Sequence, residues 1–195
     1  MIARKIWTGL ATAALAWTMA ATAAQAENVY RIDPAKSEVH FTLVDVLHTV
    51  HGTFRLQPSE ITFAPDGNAM GGMIVVDARS GVSGNSIRDH RMTDEELKAP
   101  SFSTVTFAPR RFKGTLPASG DGKIEVVGMF TILGSSHEIT VPMQVHVEGT
   151  QCKAVGSFPV PYVAWGLKDP STLMIKVEKQ VAIDLVLAGQ LQSKE

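Results

Sequence analysis

Between positions 137 and 148, apolar and polar side chains alternate one by one: Ile139, Val141, Met143, Val145 and Val147 fall on one parity, and Glu138, Thr140, Pro142, Gln144, His146 and Glu148 on the other. A period of two predicts a strand with one face buried and the other wet. Val181, Ile183, Leu185 and Leu187 alternate with Ala182, Asp184, Val186 and Ala188, which predicts a second strand of lower contrast. Further runs of β-branched and aromatic residues cover 28–33, 37–47, 50–63, 71–78, 102–113, 122–133, 152–160 and 172–179, separated by Gly, Pro, Asp and Asn. The expected class is all-β with eight or more strands. Short turn signals at Pro65-Asp66-Gly67-Asn68, Ser119-Gly120-Asp121-Gly122 and Gly134-Ser135-Ser136 join neighbours as antiparallel hairpins. Parallel crossovers would need helices, and a helical period is almost absent.

Strands with one apolar face bury it either by stacking as two sheets or by closing into a barrel, and alternation leaves both open. Closure near eight strands leaves an interior that side chains fill or that holds one small ligand. One helix is expected near 93–99. Thr93 would cap the amide of Glu96, Glu96 would return the bond, Met92 and Leu97 would form a staple, and Pro100 would stop the helix. It reads as a lid or plug between strands.

The first residues change the picture of what the mature chain is. Arg4 and Lys5 precede an uncharged apolar run from Ile6 to Ala23, and Ala24-Gln25-Ala26 follow just before Glu27. That is the layout of a cleaved signal peptide over 1–26, without the cysteine of a lipobox or the paired arginines of a twin-arginine signal. Residues 27–195 are then a single exported domain with no stable membrane anchor. Losing Arg4 and Lys5 takes the formal net charge from −1 to −3. No basic cluster is long enough for a nucleic-acid surface. Cys152 is the single cysteine, so an oxidising compartment offers no internal disulfide, and stability must come from packing.

Candidate chemistry is sparse. His48 and His51 stand three apart in one run, on opposite faces of a regular strand, and no zinc signature with a third ligand accompanies them. The six histidines read as polar loop groups or head-group contacts at a barrel mouth. Ser80-Gly81-Val82-Ser83-Gly84 lacks the spacing of a nucleophile elbow. Cys152 has only Lys153 beside it, too little to make a reactive thiolate. Glu95 and Glu96 are adjacent on a short helix and read as capping, solvent-facing groups. Around the helix, Asn85, Ser86, Arg88, Asp89, His90 and Arg91 cluster. They form either a loop-pinning Arg–Asp pair or a clamp in which Arg88 meets a phosphate or carboxylate with His90 or His51 as a second donor. No catalytic residue, metal or cofactor is assigned.

At the level of motifs, Tyr30-x-Ile32-Asp33-Pro34-x-x-Ser37-x-Val39-x-Phe41 and Val50-x-Gly52-x-Phe54 resemble the opening of the YceI-like family, a lipid- or polyisoprenoid-binding-like domain. The resemblance continues through Gly84-Asn85-x-x-Arg88-Asp89-x-x-Met92, Gly128-x-Phe130-x-Ile132-x-Gly134 with His137, and Phe158-x-Val160-Pro161-Tyr162-x-x-Trp165-Gly166-x-x-Asp169-Pro170-Ser171, to Val181-x-Ile183-x-Leu185. Phe102-Ser103 departs from the family's aromatic-Pro pair. The resemblance implies a lipocalin-like antiparallel barrel, periplasmic in Gram-negative cells, whose apolar channel holds an isoprenoid or fatty-acyl chain.

One face of the expected strands would line such a channel with Phe41, Leu43, Phe54, Val76, Phe130, Ile132, Val141, Met143 and Trp165, while His51, Arg88 and His90 would meet the head group. The function expected is a carrier or reservoir for a polyisoprenoid, an isoprenoid quinone or another long-chain lipid, not an enzyme. The alternatives are a structural or interaction barrel filled by its own side chains and, third, a metal- or His-dependent enzyme. Edge strands or the barrel mouth could pair two copies into a homodimer.

Overall fold

The computed structural model describes residues 27–45, 48–171 and 176–194. The expected signal peptide therefore lies outside the described residues. Ten strands form one antiparallel sheet: β1 (Glu27–Ile32), β2 (Glu38–Val44), β3 (Thr49–Leu56), β4 (Ser59–Phe63), β5 (Met70–Val82), β6 (Thr104–Gly114), β7 (Gly120–Ile132), β8 (Ser135–Glu148), β9 (Gln151–Val160) and β10 (Val181–Lys194). The β5–β6 ladder closes the sheet on itself. Closure settles the choice between sandwich and barrel and leaves no free edge in the ring.

Ten strands make eight staves, because two staves are each built from two strands end to end. β1 and β2 both run antiparallel to β10, β1 along Gly189–Lys194 and β2 along Ala182–Val186. β4 and β3 likewise share β5, β4 along Met70–Met73 and β3 along Val76–Val82. The breaks fall at proline. Pro34 opens a short 3-10 turn (Pro34–Lys36), and Pro58 separates β3 from β4, so the single strand expected over 50–63 is two. A proline supplies no N–H to a ladder and suits a place where pairing is interrupted.

Serines patch each interruption. Ser37 Oγ accepts from Ala188 N at 3.0 Å and donates to Asp33 O at 2.8 Å. Ser59 Oγ accepts from Val75 N at 3.1 Å and donates to Gln57 O at 2.9 Å. Where the β3–β5 register slips, Ser80 Oγ takes the Arg55 N–H at 2.8 Å. Buried backbone groups left by the breaks thus keep partners.

Two further expectations need correction. The helix starts earlier, at Ser86, with Asn85 as its cap: the Asn85 side chain accepts from Arg88 N at 3.1 Å. The first turn, α1 (Ser86–His90), continues as a π-helical turn over Arg91–Glu96. Thr93 is therefore inside the helix, its hydroxyl bonded back to Asp89 O at 3.0 Å, and forms no capping box with Glu96. The strand expected over 172–179 is also absent from its described part. Residues 172–175 lie outside the described residues, and beyond them Val177 makes one isolated bridge to Asp45.

Candidate functional site

The inward faces of the staves enclose a cavity of about 680 Å³, inside the range of small-molecule sites. Its wall follows strand parity. On β7 and β8 the pairs Ile124↔Met143 and Val126↔Val141 face inward together, while Glu125, Thr140 and Gln144 face out. Phe41 and Leu43 of β2, Phe54 of β3, Val76 of β5, Phe130 and Ile132 of β7, and Val141 and Met143 of β8 all line the cavity. Gly52 makes room on β3, since a Cβ there would overlap the Phe41 ring, which lies 5.4 Å from Phe54 between centroids.

Phe63 and Phe112 close one end, edge to face at 5.8 Å. Beside them Tyr30 donates its hydroxyl to Leu187 O at 2.9 Å and Cys152 O at 3.2 Å, holding β1 against β9 and β10. Burial raises the Cys152 thiol to about 11, so it stays protonated and unreactive at neutral pH. The other end is the mouth, where the helix lies across the opening. Ser83, Asn85, Arg88, Arg91, Glu96 and Lys168 put polar atoms on this rim, with Ile87 of α1 74% exposed beside them.

Three residues expected at the ligand stand elsewhere. Trp165 is not part of the cavity wall: its indole stacks on His137, centroids 4.2 Å apart, and packs against Phe130 at 5.6 Å. It belongs to a turn, not a strand, so parity gave no guide to it. His51 falls on the outward parity of β3, opposite Thr42, whose hydroxyl lies 3.1 Å from its Nδ1. His90 is exposed on α1 and pairs with Asp94 at 3.1 Å. Arg88 does reach the rim, and there its guanidinium donates to Ser83 Oγ at 2.7 Å and Ser83 O at 2.8 Å, while Asp89 accepts from the same serine hydroxyl.

Sequence reasoning missed Glu96. It lines the cavity, and its Oε2 is buried without a hydrogen-bond partner among the described residues. Nearby, the Tyr162 hydroxyl donates to Glu178 O at 2.7 Å, and burial with the Asp169 and Glu96 carboxylates raises this phenol to about 12. The signal for Glu96 was the spacing Arg88, Met92, Glu96, three cavity-facing residues four apart, legible only once the helix is started at Asn85. Among the described residues no three His, Cys, Asp or Glu side chains are placed to share a metal ion, and no helix is long and apolar enough to cross a membrane.

A closed eight-stave barrel around an apolar cavity with a polar, helix-covered mouth defines the class of small antiparallel β-barrel able to enclose a hydrophobic ligand. The chain belongs to the YceI-like domain family, whose profile matches residues 30–188. Solved structures with the same fold include Burkholderia cenocepacia BcnA (23% identity, TM-score 0.65, 81% of this chain and 99% of that one). A polyisoprenoid binding domain from Saccharophagus degradans, described as implicated in plant cell wall breakdown, aligns at 17% identity and TM-score 0.62, over 84% of this chain and 98% of that one. A Campylobacter jejuni YceI protein aligns at 15% identity and TM-score 0.59, over 74% and 86%. No curated protein sequence matches.

Proposed function

We propose that this protein is an exported, periplasmic binding protein that holds one long-chain lipid, an isoprenoid or an acyl chain, inside the barrel. The observation that carries the reading is the apolar cavity of about 680 Å³, lined by inward side chains of β1 to β10, with a polar rim at the helix. Self-filled barrels of this strand number leave no such space. The Saccharophagus relative's description as a polyisoprenoid binding domain supports the same class of ligand.

Energetics agree. Each buried methylene contributes roughly 0.8 kcal/mol, so about ten to twelve of them supply about 8 to 10 kcal/mol. Micromolar affinity corresponds to about 8 kcal/mol, before ordering costs are subtracted. A tail of about twenty carbons therefore binds without a catalytic group or a cofactor. In this reading Phe41, Phe54, Phe130, Val141 and Met143 grip the tail and the rim with Arg88 meets the head.

Native mass spectrometry of the mature protein, with organic extraction of any released lipid, tests this. We expect one lipid per chain in the wild type. Val141→Trp, which places an indole at mid-height in the lumen, should lower uptake of an added prenyl or acyl lipid by about a hundredfold while the melting temperature holds. A bare wild-type mass with no uptake of added lipid would overturn the reading.

A further inference from the structure

We infer that Glu96 selects the head group of the bound lipid, favouring one that donates a hydrogen bond, such as an alcohol or phenol hydroxyl, over an ether, a quinone carbonyl or a phosphate. The inference rests on the reading of the cavity as a lipid channel and names the chemistry at its mouth.

A carboxylate offers only acceptors. Its burial is costly unless donors reach it, and the two arginines and the tyrosine at the mouth are engaged with other partners. Arg88 donates to Ser83 Oγ and O, and Arg91 lies 3.8 Å from Glu95. Tyr162, the neighbouring hydroxyl on the cavity wall, spends its proton on Glu178 O and presents lone pairs. The Glu96 Oε2 atom is buried at the same opening without a partner among the described residues. A lipid lying in the tube with its polar end at the rim brings the missing donor. A quinone carbonyl has no hydrogen to give, and a phosphate adds a negative charge beside the carboxylate. The same oxygen therefore separates a quinol from its quinone.

Three probes that share one twenty-carbon isoprenoid tail test this by calorimetric titration: the free alcohol geranylgeraniol, its methyl ether and its monophosphate. In the wild type the alcohol should bind about tenfold or more tightly than the ether, the ratio expected for one hydrogen bond to a charged acceptor. Glu96→Leu should abolish that preference by weakening the alcohol alone, with the ether unchanged, and should melt no lower than the wild type because an unpaired buried carboxylate is gone. Should Glu96→Leu fail to fold, the near-isosteric Glu96→Gln carries the test, with the preference reduced to a few-fold. Equal binding of alcohol and ether in the wild type, a phosphate that binds tightest, or a preference that survives these substitutions would each overturn the inference while leaving the tube intact. Failure of all three probes to bind would overturn the channel reading, and this inference with it.

Discussion

The two ends of the barrel solve opposite problems with the same staves. At the floor, aromatic rings and neutral hydroxyls do the work: Phe63 meets Phe112 edge to face, and Tyr30 reaches two backbone carbonyls across the lumen wall. The loop between β4 and β5 closes over them, with Gly67 at φ 72° lying flat on the Phe112 ring, where a Cβ would come within 2.7 Å of it. At the mouth, a short helix with a π-turn replaces the ring pair, and charged side chains and an exposed isoleucine replace the hydroxyls. Among the described residues the floor keeps its buried polar side-chain atoms partnered, whereas the mouth leaves Glu96 Oε2 buried without a partner. Native structures tolerate few such groups, and they concentrate where a ligand or a proton has business. Ring packing is concentrated at one end and charged side chains at the other.

That division can be broken by substitution. The largest effect is expected at the floor, where Phe112→Ala removes a buried ring and should cost about 3 to 5 kcal/mol, read as a fall of roughly 10 °C or more in melting temperature. Tyr30→Phe comes next: it leaves the Leu187 and Cys152 carbonyls short of a donor and should cost about 1 to 3 kcal/mol in denaturant unfolding. The smallest is Asn85→Ala at the mouth, which removes the helix cap and should cost about 1 kcal/mol by the same measurement. A reversal of this order, with the cap worth more than the ring pair, would show that the mouth helix and not the floor anchors the barrel.

Much of the fold was legible because a half-buried strand writes its parity directly into the chain. β8 was readable residue by residue, and the inward sets of β2, β7 and β8 followed from it. Strand joints were harder. Pro58 and the Pro34 turn split two staves without disturbing the alternation on either side, because the halves stay collinear along β5 and β10. The helix was mislocated because Thr93 with Glu96 imitates a capping box, whereas the operating cap, Asn85, precedes a segment with little apolar contrast. That shift of one element hid Glu96 by assigning it to solvent. Trp165 and His51 show the limits of parity in two ways. A turn residue has none, and a residue one place off in a strand points out of the barrel.

The joining of β10 to both ends of the lumen sets the order in which the molecule can be made. Its 14 residues pair with β9 on one side and with β1 and β2 on the other, so the last strand is the stave against which the first two are laid. Before those residues are in place, β2 can pair with β3, β1 with β4, and β4 to β9 with their neighbours, but β1 and β2 each lack their second neighbour and the ring stays open. Such long-range closure makes folding slow and late. Closure of the ring therefore waits on β10, the one stave that joins β9 to both β1 and β2.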